Sequence, residues 1–216
     1  MLHRNLRNPR KFRHLELVER MHQPQYRKSS FSSLMFRASS LIAHHSGVSA
    51  NYVSVNSITP LQEAVSVGGS IVIKSSFIKL DIPRGNADTG IALLYLDAST
   101  GDASDEESFD VLLGMLIKSK LRVLDCNSKQ ARHGYAGFKE LKPETWFQKD
   151  DPKIRIDVGA DEFMVYVNGR KVGAVNRMIR RDKVTHVRYW TRPPRAEPVM
   201  AKEITVTAYK QTSLVP

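Results

Sequence analysis

The chain has 216 residues, 41% of them hydrophobic and 25% charged, and carries a formal charge of +11. These proportions are globular, and the length suits one domain of roughly 100 to 150 residues plus an extension. A single cysteine excludes an intrachain disulfide and a multi-cysteine metal site, and no stretch approaches the roughly 18 apolar residues of a membrane-spanning helix.

Residues 1–48 read as a basic extension. The charge is concentrated there: Arg4, Arg7, Arg10, Lys11, Arg13, Arg20, Arg27, Lys28 and Arg37 stand against only Glu16 and Glu19. Serines at 29, 30, 32, 33, 39 and 40 complete a composition that fits either an organelle transit segment or a retained arm docking on something anionic. Leu15, Leu17, Val18 and Met21 suggest a short helix ended by Pro24, and Phe31 to Ile42 a second amphipathic turn or two. Arg and His interrupt every apolar run near the amino terminus, so no conventional secretory signal is expected. With one cysteine, this points to an intracellular, reducing location, cytoplasmic or alternatively mitochondrial.

Residues 49–216 read as one all-β domain. Runs rich in β-branched and aromatic residues predict strands at Tyr52 to Val55, Ser70 to Lys74, Ile78 to Ile82 and Ile91 to Leu96. Gly101 to Glu107 reads as an acidic exposed loop, and Asp110 to Lys118 fits a strand or a few helical turns equally well. Further strands are expected at Leu121 to Cys126, Lys153 to Val158, Phe163 to Val167, Lys171 to Val175, Val184 to Tyr189 and Glu203 to Tyr209. Ile154-Arg155-Ile156-Asp157-Val158 and Phe163-Met164-Val165-Tyr166-Val167 alternate in and out around Gly159 to Glu162, which is the pattern of an antiparallel hairpin with one buried face. Asn168-Gly169 supplies the next tight turn.

Phe163 to Gly169 followed by Asn176-Arg177, Cys126-Asn127-Ser128-Lys129, and Asp88 to Leu96 occur in the order and approximate spacing of three galectin segments. Residues 50 to 212 thus resemble a galectin carbohydrate-recognition domain. The resemblance implies an antiparallel β-sandwich of jelly-roll type, with sheets of five and six strands and a ligand groove across the concave one. It also implies a non-enzymatic lectin that binds a glycan or glycoprotein, in a family that often pairs as homodimers. The family's sugar-contacting His, Asn and Arg fall on Leu94, Leu96 and about Ala98, so galactoside binding is expected to be weak or altered. Asn127 matches the family's groove Asn. Tyr135 is the nearest aromatic to the family's stacking Trp, and Arg132, His133 and Glu140 are the neighbouring polar candidates for carbohydrate contact.

Each candidate also has a plainer reading. Asn127 suits a backbone-bonding turn, Trp146 and Trp190 suit core packing, and Cys126 suits a small buried side chain. His44 and His45 are neighbours that point apart in an extended chain, so no metal site is assigned. The chain has no Gly-x-Ser-x-Gly or phosphate-loop motif, and neither an enzyme nor a cofactor is expected. Arg177, Arg180, Arg181, Lys183 and Arg188, with Arg192, Arg195, Tyr189 and Trp190 interleaved, suggest a polyanion-binding patch. With the basic arm, that patch supports a second reading: a structural subunit of an intracellular ribonucleoprotein or protein assembly, a mitochondrial one among the options, that touches RNA or acidic protein.

Overall fold

The computed structural model describes residues 47–80, 88–97, 99, 105, 107–194 and 196–210. The two proposed amino-terminal helices, His44 and His45, Ala98, Arg195 and most of the acidic loop lie outside these residues.

Twelve strands, β1 to β12, form two six-stranded sheets. In the first sheet the order is β1 (Gly47–Ser54), β12 (Glu203–Tyr209), β3 (Ser70–Lys74), β8 (Lys153–Val158), β9 (Glu162–Val167) and β10 (Arg170–Asn176). In the second it is β2 (Ser57–Ser66), β11 (Lys183–Arg192), β4 (Asp88–Tyr95), β5 (Asp110–Lys118), β6 (Val123–Lys129) and β7 (Tyr135–Leu141). Every pairing is antiparallel. Both sheets therefore have six strands, where the resemblance implied five and six.

Alternation places the core. Ile154, Ile156 and Val158 of β8, with Phe163, Val165 and Val167 of β9, point to one side and are buried. They join Ile91 and Leu93 of β4, Met115 and Ile117 of β5, and Val187 and Tyr189 of β11 in one cluster between the sheets. Each such side chain contributes about 1.5 to 3 kcal/mol on leaving water. Tyr189 keeps its hydroxyl satisfied by donating to the Ala201 carbonyl oxygen at 2.8 Å, and burial raises its pKa.

The turns follow from local chemistry. Asn168 and Gly169 both have positive φ, 48° and 83°, and join β9 to β10 with Val167 paired to Arg170, as a two-residue hairpin turn of that hand requires. Asn168 also accepts from the Lys153 backbone N–H through its side-chain oxygen at 2.9 Å, which ties the turn to β8.

Four segments depart from the sequence expectation or decide between its alternatives. Phe77 and Ile78 form isolated bridges where a strand over Ile78 to Ile82 was expected; the residues after Leu80 up to 87 are not described. Asp110 to Lys118 is a strand: it is covered on both faces, which erased the alternation that marks a half-exposed one. β2 and β7 were not anticipated. Both are edge strands, β2 containing Pro60 and β7 exposing most of its residues.

Candidate functional site

The second sheet has an outer face, opposite the core. On β4, Ile91 and Leu93 point inward while Ala92 and Leu94 point outward. The outward pair is nonetheless buried, because Phe109 and Val111 close over it and Ile58, Leu96 and Trp190 pack around the group. Leu94 and Leu96, where the resemblance placed polar sugar contacts, thus belong to a small second apolar cluster. One half of the outer face is sealed.

The other half is an open groove of about 870 Å³. It crosses β11, β4, β5, β6 and β7, which lie side by side. The groove borders the sealed cluster at Ala92 and Val111 and runs on past Gly114, with Tyr135 and Phe138 on one side and Trp190 on the other. Tyr135 is 51% exposed and Phe138 74%, so both rings are available to a ligand. The Lys129 ammonium lies 5.8 Å from the Tyr135 ring centre.

Two glycines shape this groove. Trp190 of β11 is paired with Gly90 of β4, and a Cβ on Gly90 would lie 2.2 Å from the indole ring. The indole therefore rests on the bare backbone of the neighbouring strand. Asn127 of β6 is paired with Gly114 of β5 in the same way, its side-chain oxygen 2.5 Å from where a Cβ would stand. Asn127 is a strand residue, half-buried, with its amide laid over Gly114 in the groove floor.

Among the described residues, the polar lining of the groove consists of two arginines, two asparagines, a threonine and a tyrosine. Alternation along β11 sends Val187 and Tyr189 into the core and Arg188, Trp190 and Arg192 outward. The Arg188 guanidinium sits 5.3 Å from the Trp190 ring centre. Asn56, in the left-handed conformation between β1 and β2, accepts from the Thr191 backbone N–H at 3.2 Å and lines the same end of the groove.

The candidates from sequence scatter differently. Asn127 and Tyr135 meet in the groove. Arg132 and His133 stand exposed in the turn between β6 and β7, Arg132 with φ 62°, and Glu140 pairs with Lys142 at 3.0 Å; none of the three lines the groove. Phe138, Arg192 and Trp190 line it and were not assigned to it from sequence, although the alternation of Lys183 to Arg192 carries the signal for the last two. Trp146, read as a packing residue, is partly buried edge-on to Phe147 at 4.9 Å.

The five residues of the suggested polyanion patch have different surroundings. Arg177 is only 7% exposed. Its guanidinium donates to the carbonyl oxygens of Gly159 at 2.8 Å, Ala160 at 3.2 Å and Arg181, which staples the β8–β9 turn, and burial lowers its pKa. Arg180 pairs with Asp161 at 3.0 Å. Arg181 donates to the buried carboxylate of Asp110 at 2.6 Å, while Asp110 also accepts from the Ala131 backbone N–H at 2.7 Å. That carboxylate thereby joins the start of β5, the turn before β7 and the loop before β11. Lys183 is half-buried at the start of β11, and Arg188 belongs to the groove.

Cys126 faces the core, and burial, with the Asp125 charge beside it, pushes its thiol up to about 12. A thiol so rarely ionised is a packing group. Among the described residues, no three metal-ligating side chains cluster.

No family model matches the chain, and no curated protein sequence matches it. Among solved structures, a variant of human galectin-16 superposes with a TM-score of 0.52 at 18% identity, covering 72% of this chain and 97% of that one. Sheep galectin-11 gives 0.49 at 11% identity over 71% and 98% of the two chains. The Caenorhabditis elegans galectin LEC-6 gives 0.48 at 12% identity over 74% and 94%. The galectin-16 superposition takes in almost that entire protein, and together with the two antiparallel sheets it identifies the described part of this chain as a β-sandwich of the galectin fold.

Proposed function

We propose that the domain is a non-enzymatic carbohydrate-binding module whose recognition differs from that of an ordinary galectin. The observation that carries this reading is the groove in which Asn127 lies over Gly114 between the exposed rings of Tyr135 and Phe138 and the indole of Trp190. A sugar has an apolar ring face and a rim of hydroxyls. Aromatic walls suit the first, and the Asn127 amide suits the second because it both donates and accepts. The sealed half explains why the mode would be altered: Leu94 and Leu96 offer nothing to a hydroxyl, and a hydroxyl desolvated there without a partner costs about 1 to 3 kcal/mol.

A glycan array at physiological salt tests this reading. Saturable binding of a defined set of glycans is expected, with loss of about tenfold or more in affinity for Tyr135→Ala. Gly114→Ala, which pushes the Asn127 amide aside without removing it, should weaken the same glycans. A blank array overturns the reading.

A further inference from the structure

The wall of the groove on the β7 side is built on a bulge. Ala136 pairs with Ser128 and Lys139 with Cys126, so Gly137 and Phe138 together stand opposite Asn127. Two residues against one make a β-bulge, which bends the strand and re-aims a side chain. Gly137 takes φ 66°, a conformation that suits glycine, and Phe138 stands 74% exposed in the groove lining beside Tyr135.

Met178 lies against this bulge. Its Cγ is 2.6 Å and its Sδ 3.6 Å from where a Cβ on Gly137 would stand, and the Ser128 Oγ is 3.4 Å from the same point. Ser128 follows Asn127 on β6, so alternation turns it away from the groove, and Met178 supports the bulge from behind. The chain on either side of Met178 is anchored. The Arg177 N–H donates to the Asp161 carbonyl oxygen at 2.8 Å, and Arg180 pairs with the Asp161 carboxylate at 3.0 Å. Yet Met178 is 57% exposed, whereas Met115 and Met200 are buried and Met164 is half-buried. A peroxide in solution therefore reaches the Met178 sulfur before those of the other described methionines. Cys126 does not compete, because its buried thiol stays protonated.

In the reaction a sulfur lone pair attacks one peroxide oxygen and the O–O bond breaks. The thioether is oxidised to the sulfoxide and the peroxide is reduced to water. A polar group with a strongly accepting oxygen then stands where an apolar one had packed. The Ser128 hydroxyl beside it already donates to the Ala136 carbonyl oxygen at 3.3 Å, so the sulfoxide is better hydrogen-bonded in water than on Gly137. We propose that Met178 is a peroxide-sensitive modification site whose oxidation frees the bulge, loosens the Phe138 wall and weakens glycan binding. This rests on the carbohydrate-binding reading above and adds a regulation to that site.

The full-length protein, treated with hydrogen peroxide and mapped by peptide mass spectrometry, should gain oxygen at Met178 before Met115, Met164 or Met200. Amide hydrogen exchange over β7 should then quicken, and affinity for a glycan that the untreated protein binds should fall about three- to tenfold. Methionine sulfoxide reductases for both epimers should reverse both changes. In Met178→Leu, which keeps an apolar side chain without the sulfur, peroxide should change neither exchange nor affinity, and Met178→Gln should show the weaker affinity without peroxide. Exchange over β7 that ignores oxidation of Met178, or a loss of affinity that persists in Met178→Leu, overturns the proposal. Equal affinity in the oxidised and untreated protein overturns the regulation and leaves the binding-module reading standing. A protein that binds no glycan in either form sinks both readings together.

Discussion

The sealed and open halves of the outer face share strands and differ in what covers them. Around Leu94, Phe109, Leu96 and Ile58 close the sheet, and the surface becomes a second core. Over Gly90 and Gly114, no Cβ projects, and the vacated space is taken by Trp190 and Asn127 from neighbouring strands. One face can therefore be insulated or receptive depending on whether it places leucine or glycine at its outward positions.

The largest way to break this contrast is to open the sealed half at its anchor. Asp110→Ala leaves the Ala131 N–H and Arg181 without their acceptor and should cost about 3 kcal/mol of unfolding free energy. Chemical denaturation reads this directly, and a loss under about 1 kcal/mol would show that the carboxylate does not tie the three segments together.

At the boundary between the halves, Gly90→Ala forces the indole off the backbone. The added methyl would meet a rigid ring and not a flexible chain end, so a cost of about 2 kcal/mol is expected. The tryptophan fluorescence maximum should shift with it. Unchanged emission and stability would mean that the indole has room to leave.

Only part of this arrangement was legible in the sequence. Lys153 to Val158 and Glu203 to Tyr209 were found with their bounds intact, because each strand has one buried and one wetter face and the period of two survives in the letters. β5 hid for the opposite reason, being apolar on both faces. In β7, Tyr135-Ala136-Gly137-Phe138 reads as a loop because an edge strand with glycine at φ 66° buries almost nothing. Asn127 and Tyr135 were recognisable through the galectin resemblance. Trp190 was taken for a packing residue, and it does pack; its role in the groove depends on Gly90, one hundred positions away and visible as a neighbour only once the strands are paired.

The smallest effect is a pH dependence in the sealed half. His186, paired with Leu94, has its pKa lowered from 6.5 by burial. The unfolded chain takes up this proton first as pH falls through 6.5, so the contribution is intact above that value, declines below it and levels off beneath the folded pKa. Unfolding free energies from pH 7.5 to 5 should fall less steeply in His186→Gln than in the parent. Parallel curves would show that burial leaves this imidazole unperturbed.

The Gly90–Trp190 contact also constrains the order in which this surface can change. Trp190→Ala empties the space above Gly90, after which Gly90→Ala should be nearly neutral, whereas Gly90→Ala made first meets the whole indole. The two substitutions should therefore be strongly non-additive in a double-mutant cycle. A lineage carrying this pair could give up the tryptophan before the glycine far more easily than the reverse, and would have needed the glycine in place before a tryptophan could lie there.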